Sequence, residues 1–306
     1  MNSVESEAAL IGIDWGTSSL RAFLISGEGE VLDKVSSSEG IMHVSDGDFE
    51  AVFGRIVGHW LSGRSLPIVA SGMVTSRNGW VETQYEHLPL DADDLAEALV
   101  THKTSCGVEL RFVTGVSTES DSGPDVMRGE ETQIIGATVL GMSDGLFVLP
   151  GTHSKWIRVS DGRIEDYSTY MTGEVFEALK EHTILGKLIE DGPFSTEGFD
   201  MGLAAGLKTK SHLLHDLFHV RTLPLTGKIK GSMVADYLSG MLIGSEIRAE
   251  TEHQNISETI TIVGRSDLAD RYEIALKKIG LGSRRAPNDI VARGHFLIAR
   301  SAGLLS

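Results

Sequence analysis

The sequence predicts an α/β protein built from two similar lobes, with its active site in the cleft between them. Three observations carry that expectation. A triplet of short strands followed by helices occurs twice along the 306 residues. In each occurrence an apolar strand runs into a Gly-Thr turn and out into another strand. The 35 glycines punctuate short apolar runs, as in chains rich in strands and tight turns. Strands and helices alternating in this way pack as helices on sheets, and a crevice between two such bodies is a common ligand site.

Taken in order, residues 10–14, 20–25 and 31–36 read as three strands joined by glycine-containing turns. Residues 49–61 place Ala51, Val52, Ile56, Val57, Trp60 and Leu61 on one side of a helix. A strand at 66–71, a helix at 91–100, a strand at 110–116 and a helix at 129–140 complete a first lobe, residues 1–143. The order then begins again in residues 144–306. Strands at 146–149, 155–159 and 164–170 precede helices at 173–182, 196–207 and 211–219. A longer helix at 233–250 carries Ser239, Gly240, Gly244 and Ser245, small residues that allow close packing. A strand at 259–263 leads to an amphipathic helix at 266–279 with Ser266 placed as its N-cap. A helix at 289–300 closes the chain and is free to pack back on the first lobe.

Composition narrows the partners. The balance of 27 basic against 43 acidic residues, a net charge of −16, argues against nucleic acid and anionic membranes, since both need a basic patch. Cys106 is the one cysteine, so no intrachain disulfide framework exists and a reducing compartment is expected. The first nine residues are polar and acidic, unlike a signal peptide. No apolar run approaches the roughly 20 residues of a membrane helix. The expectation is a cytoplasmic protein acting on a small molecule, and the small-residue helix and strand edges are compatible with a monomer or a homodimer.

The two Gly-Thr turns point to phosphate. Residues 10–24 contain Asp14, Gly16, Thr17 and Ser18, and residues 146–159 contain Gly151, Thr152 and His153. Glycine lets a turn approach a ligand, while nearby N–H groups and hydroxyls bind phosphate oxygens. Either turn alone also fits a plain hairpin; two of them facing each other would grip one nucleotide. Asp14 adds a carboxylate at the end of a buried strand, which is costly without a cation. Mg²⁺ with its water shell, carried on the nucleotide phosphates, would be such a partner.

The stretch Asp14-Trp15-Gly16-Thr17-Ser18-Ser19-Leu20-Arg21 resembles the first phosphate motif of the actin, hexokinase and heat-shock-chaperone superfamily. Gly151-Thr152-His153 is similar to its second phosphate motif, although Leu149-Pro150 stand where an aspartate is common. Val263-Gly264-Arg265-Ser266 sits where the superfamily places its adenosine motif. Within it, Met127-Arg128-Gly129-Glu130-Glu131-Thr132-Gln133, Leu149 to Trp156, Met171-Thr172-Gly173-Glu174, Ala70-Ser71-Gly72-Met73-Val74, Asn78-Gly79-Trp80 and residues 238–244 resemble the 2-dehydro-3-deoxygalactonokinase family over nearly the whole chain. The resemblance implies a two-lobed actin-like fold, a duplicated ribonuclease H-like unit. It also implies ATP and Mg²⁺ as cofactors, and ATP-dependent phosphorylation of 2-dehydro-3-deoxy-D-galactonate at its terminal (6-) hydroxyl in galactonate breakdown.

Phosphoryl transfer asks mainly for positioning and charge stabilisation, with a modest role for a base. Glu130 and Glu131 open the helix after Gly129, where the dipole favours acids. Alone they read as ordinary first-turn acids. Sugar kinases and exopolyphosphatases of the superfamily carry a catalytic carboxylate at a similar helix start, which makes them base candidates. Glu130 is preferred, and Glu131 and Asp125 stay open. Asp14 is expected to hold the metal through water. The acidic substrate calls for a cation: Arg128 first, because it adjoins the base, then Arg77 and Lys155. Ser71, Gly72 and Asn78 are candidates for reading the sugar acid, and Trp80 fits either that loop or plain packing. Gly16, Thr17, Ser18, Gly151, Thr152 and His153 are assigned to phosphates, and Gly264, Arg265 and Ser266 to adenosine. His212, His215 and His219 lack a fourth zinc ligand and read as a polar helix face. Two rivals remain: a same-fold phosphatase of the exopolyphosphatase type, and a non-catalytic sugar or nucleotide sensor.

Overall fold

Leu10, Ile11, Ile13 and Trp15 are each at most 1% exposed, so the first strand is apolar on both faces and must lie centrally in its sheet. This strand, β1 (Ala8–Trp15), is followed by β2 (Leu20–Ser26), β3 (Val31–Ser37), α1 (Phe49–Leu61) and β4 (Ile68–Ser71). Then come β5 (Tyr85–His87), α2 (Ala92–Glu97), β6 (Val100–Lys103), β7 (Glu109–Phe112), β8 (Gly115–Ser120), β9 (Gly123–Met127) and α3 (Glu130–Thr138). The computed structural model describes residues 7–120, 123–208, 212–252, 256 and 258–305. Ser211, which opens the helix expected at 211–219, and Asp121 and Ser122 ahead of Asp125 lie outside the described residues.

The first sheet runs β3-β2-β1-β4-β7-β6. β1 pairs antiparallel with β2 and parallel with β4, which brings Asp14 beside both Arg21 and Ser71 at the strand ends. The Asp48 side chain caps α1 through the Ala51 amide, and Phe49, Val52, Phe53, Ile56, Val57 and Trp60 fill the core under the sheet. Trp80 joins that core, stacked on Phe49 at 6.1 Å and edge-on to Phe112 at 5.7 Å, so it is a packing residue. The helix expected at 91–100 stops at Glu97, and Val100–Lys103 forms an edge strand instead; its β-branched Val100 and Thr101 suit a pleated surface. The strand expected at 110–116 divides into β7 and β8, which belong to different sheets; β8 lies in the three-stranded sheet β5-β8-β9.

The second series comprises β10 (Gly145–Leu149), β11 (Ser154–Ser160), β12 (Arg163–Tyr170), α4 (Thr172–His182), α5 (Thr196–Lys208), α6 (Leu213–Asp216), α7 (His219–Leu225), α8 (Val234–Thr251), β13 (Ile260–Ile262), α9 (Ser266–Lys278), β14 (Ser283–Arg285) and α10 (Ile290–Ser301). Its sheet runs β12-β11-β10-β13-β14. The order repeats the first five positions of the first sheet, third, second and first strand of the triplet and then two more, without a counterpart of the edge strand β6. The parallel pairs β10–β13 and β13–β14 match β1–β4 and β4–β7. Two short helices, α6 and α7, replace the single one expected at 211–219. The residue preceding α9 is Arg265, without a side-chain cap bond; Ser266, expected as the cap, is already helical.

By contacts the chain forms two compact units. One is Met1–Asp144 with Ile157–Tyr167 and Asp289–Ser306; the other is Gly145–Trp156 with Ser168–Asn288. In the first, α10 packs on α3 through reciprocal glycines. A Cβ at Gly136 would lie 2.0 Å from the Ile290 carbonyl oxygen, and one at Gly294 1.9 Å from that of Thr132. In the second, α5 and α8 approach in the same way. A Cβ at Gly202 would meet the Tyr237 carbonyl oxygen at 1.9 Å, and one at Gly240 that of Phe199 at 2.2 Å. No described helix is long and apolar enough to cross a membrane.

Candidate functional site

In the first unit the candidates gather at the carboxyl ends of β1 and β4. Asp14 is the partly buried residue before Trp15, the last of β1, and is held by Arg21, whose Nε donates to Asp14 Oδ2 at 3.0 Å while its Nη2 meets the same oxygen. Gly16 donates to the Ser19 carbonyl at 2.9 Å and closes the turn, leaving Thr17 and Ser18 exposed. The turn rests on the following chain: Ile41 and Met42 donate to the carbonyls of Gly16 and Thr17 at 3.0 and 3.1 Å.

Gly72 follows β4 with φ +97°, and a Cβ there would lie 2.9 Å from the Trp15 carbonyl oxygen and 3.3 Å from Asp14 Oδ1. Gly129 precedes α3 with φ +108°, 3.1 Å from Gly72 Cα by the same measure. Both conformations disfavour any side chain. The helix start is thereby brought next to Asp14 within one unit.

The two acids of α3 fold back over that start. Arg128 N–H donates to Glu130 Oε2 at 3.0 Å, and Gly129 N–H donates to Glu131 Oε2 at 2.6 Å. Their surroundings differ. Glu130 is half-buried, whereas Glu131 is fully buried and takes a second bond from Thr132 Oγ1 at 3.0 Å. Burial, with the nearby charge of Glu130, pushes the Glu131 carboxyl up to about 7. Asp125 lies on β9, its carboxylate accepting from the Val126 amide at 2.7 Å.

The substrate candidates separate into two groups. Ser71 is fully buried and its Oγ bonds His295 Nε2 at 2.8 Å, so it supports the site from beneath. Arg128 points its Nη1 at Thr75 O, Thr75 Oγ1 and Thr83 Oγ1 (2.6, 2.7 and 2.6 Å), donates from Nη2 to Thr83 O at 3.1 Å, and lies 4.2 Å over the Tyr85 ring. That fork ties the loop after β4 to the strand before α3. Arg77 and Asn78 are exposed on the same loop. Lys155 is in the second unit, on β11, and only 4% exposed.

The second unit holds a pocket of about 540 Å³ that unites residues far apart in sequence: Gly151 and Thr152 from the turn after β10, Gly173 from α4, Ser239 from α8, and Arg265 from the start of α9. Arg265 pairs with Asp267 at 2.7 Å. Gly264 sits beside Pro150, and Ser266 begins α9. His153 bonds Glu174 at 2.5 Å through Nε2.

Several supporting residues escaped the sequence reading. His295 falls on the buried side of α10 with Val291 and Ile298, at helical spacing that marks it as inward. Burial, with the charge of Arg21, pushes its imidazole down to about 3. Glu246 stands four residues after Leu242 and eight after Leu238, in the apolar stripe of α8, and is 3% exposed. An acid in such a stripe is the available signal.

A sequence profile of the family described as 2-keto-3-deoxy-galactonokinase matches residues 14–298. The 2-dehydro-3-deoxygalactonokinase of Escherichia coli (strain K12) is 34% identical over 273 residues, 89% of this chain and 91% of its own. A crystal structure from Sinorhizobium meliloti, of a protein with the provisional name 2-dehydro-3-deoxygalactonokinase, is 32% identical. It covers 95% of this chain and 98% of its own, with a TM-score of 0.87. At the level of fold alone, the ligand-bound xylulose kinase from Lactobacillus acidophilus matches at 10% identity over 96% of this chain and 89% of its own, with a TM-score of 0.51. The α/β fold is that of the actin-like sugar kinases.

Proposed function

Because the chain belongs to the 2-keto-3-deoxy-galactonokinase family, we propose that it transfers the γ-phosphoryl group of ATP to the terminal (6-) hydroxyl of 2-dehydro-3-deoxy-D-galactonate, a step of galactonate breakdown. The enzyme class is a phosphotransferase with an alcohol acceptor. The observation that best supports ATP as donor is the second-unit pocket, where the Gly151-Thr152 turn and the Arg265 helix start line one space. Amides and hydroxyls of the turn suit phosphate oxygens, and the space between α8 and α9 suits the adenosine.

The donor set tests which mode of metal binding fits. Among the described residues no three metal-ligating side chains converge. Asp14 offers one carboxylate whose Oδ2 is taken by Arg21, while Oδ1 faces Gly72. That fits a hydrated ion carried on nucleotide phosphates and held through water, the manner in which Mg²⁺ usually binds. Such an ion would neutralise charge developing on the transferred group.

In this reading Glu130 is the base, since its carboxylate is half-buried at the helix start. It would accept the proton of the attacking hydroxyl as the bond to phosphorus forms. Glu131, sealed from solvent, fixes the Gly129 turn that aims Glu130. Arg77 and Asn78 remain for the sugar acid's carboxylate and hydroxyls, and Ser71 and Arg128 hold the loop that carries them. The net charge of −16 argues against nucleic-acid and anionic-membrane partners, and the single cysteine, Cys106, suits a reducing compartment such as the cytoplasm.

A coupled ADP-release assay over a panel of 2-keto-3-deoxy sugar acids and hexoses tests the proposal. Turnover with the galactonate-derived acid and none with hexoses is expected. ATP hydrolysis of equal rate with and without any acceptor would overturn it.

A further inference from the structure

The turn Pro150–Ser154 is fastened at both ends to one buried group. On its far side Ser154 Oγ bonds Tyr272 OH at 3.0 Å, and Tyr272 OH donates to Glu246 at 2.9 and 2.8 Å. Trp156 Nε1, two residues on, donates to Glu246 Oε1 at 2.8 Å. On its near side the turn lies against the start of α4. A Cβ at Gly173 would sit 2.3 Å from the Gly151 carbonyl oxygen, and Glu174 N–H donates to the Thr152 carbonyl at 2.9 Å. That helix start is anchored in turn by Thr172 Oγ1, which donates to Glu246 Oε2.

We propose that Glu246 is a positioning residue for the nucleotide pocket, setting the place of the Gly151–His153 turn through Thr172 on one side and Tyr272 on the other. The proposal rests on reading that pocket as the ATP site. A carboxyl so deeply buried is expensive, and an apolar residue of similar size would pack in its place at lower cost. Glu246 touches no ligand space itself; Thr172 and Tyr272, which it holds, line the pocket. Its two oxygens accept from an indole and two hydroxyls on three different elements, β11, α4 and α9. A hydrophobic residue there would fill the space without holding those three donors, because the hydrophobic effect is non-directional whereas each hydrogen bond fixes a particular pair of atoms.

The test uses three variants of the full chain, Glu246→Gln, Glu246→Ala and Tyr272→Phe, each checked for folding by thermal melting. Tyr272→Phe removes only the hydroxyl, and serves where Glu246→Ala does not fold. ADP affinity is measured by calorimetry, and KM is measured separately for ATP and for the sugar acid. Glu246→Ala and Tyr272→Phe should weaken ADP and raise KM for ATP by about tenfold, with KM for the sugar acid nearly unchanged. Glu246→Gln, which can still accept from Trp156 and donate to Thr172, should retain most of the affinity.

Unchanged ADP affinity in folded Tyr272→Phe and Glu246→Ala would overturn the proposal. So would a Glu246→Gln variant as weak as Glu246→Ala, or an equal rise in both KM values. Ser239→Phe, which fills the pocket, separates the two levels. If it leaves ADP binding intact, the pocket is not the nucleotide site; if it abolishes binding while the other variants do not, only the role of Glu246 fails.

Discussion

Gly72 and Gly129 meet backbone to backbone: a Cβ at Gly129 would stand 3.1 Å from Gly72 Cα, and both residues have positive φ. The contact joins the loop after β4 to the start of α3 and leaves Asp14 Oδ1 on its edge. Gly129→Ala should therefore cost about 1–2 kcal/mol from the backbone conformation alone. The displaced helix start should also lower kcat. Urea denaturation and steady-state kinetics check both; a variant with wild-type stability and kcat would remove the contact from the account.

Asp14→Asn keeps the shape of the side chain and removes its charge. The expected result is a loss of roughly a hundredfold or more in kcat, about 3 kcal/mol of transition-state stabilisation. Thermal stability should fall only modestly, because Arg21, the partner left without its carboxylate, is about one-third exposed and can turn to water. A kcat within a few-fold of wild type would take Asp14 out of metal and phosphate handling.

Glu130→Gln and Glu131→Gln should differ in kind. The first should lower kcat by about a hundredfold or more, as the loss of a general base does, with little effect on stability. The second should report mainly in stability and its pH dependence. Glu131 and Glu246 are both pushed up to about 7, chiefly by burial, from an ordinary value of 4.5. Between those values the folded chain holds protons that the unfolded chain has released. The stability this supplies is complete below about pH 4.5 and is lost as pH rises through about 7. His295, pushed down to about 3 from 6.5, acts oppositely, since the unfolded chain gains a proton first and stability falls as pH drops below 6.5. Urea titrations at pH 5 and pH 8 should thus favour Glu131→Gln over the wild type at the higher pH, by on the order of 3 kcal/mol relative to the lower. A pH-independent difference would contradict the buried, protonated state.

Arg128→Lys retains the charge and loses the fork. Four hydrogen bonds to Thr75 and Thr83 and the stacking on Tyr85 depend on the planar guanidinium. A loss of about 2 kcal/mol in stability is expected, with a smaller fall in activity through the loop bearing Arg77 and Asn78. If Arg128 instead bound the substrate carboxylate, KM for the sugar acid would rise while stability stayed put.

How much of this was legible follows from the physics of each element. β1, β2, β10, β11 and helix α1 are largely apolar with clear periods. The more polar edge strands β3 and β12 follow directly from the turns after β2 and β11, so the sequence locates all of them within a residue or two. β9 and β14 contain Gly123-Pro124-Asp125 and Ser283-Arg284-Arg285, polar strands with no alternation to detect. The same contrast governs the site. Turns announce themselves through Gly16-Thr17 and Gly151-Thr152, because a backbone requirement is written locally. Partners do not: Ser71 and His295 are 224 residues apart, and nothing local states that one bonds the other. Proximity along the chain points Arg128 at the substrate, whereas its guanidinium bonds loop carbonyls and hydroxyls of Thr75 and Thr83. Side-chain direction is set by tertiary packing.

The fate of the γ-phosphoryl group separates a sugar-acid kinase from an ATP hydrolase. Single-turnover reactions with ATP labelled at the γ-phosphorus, 2-dehydro-3-deoxy-D-galactonate and magnesium should move the label onto the terminal oxygen of the sugar acid, with little inorganic phosphate released. Label recovered as inorganic phosphate, at a rate indifferent to the sugar acid, would contradict the account.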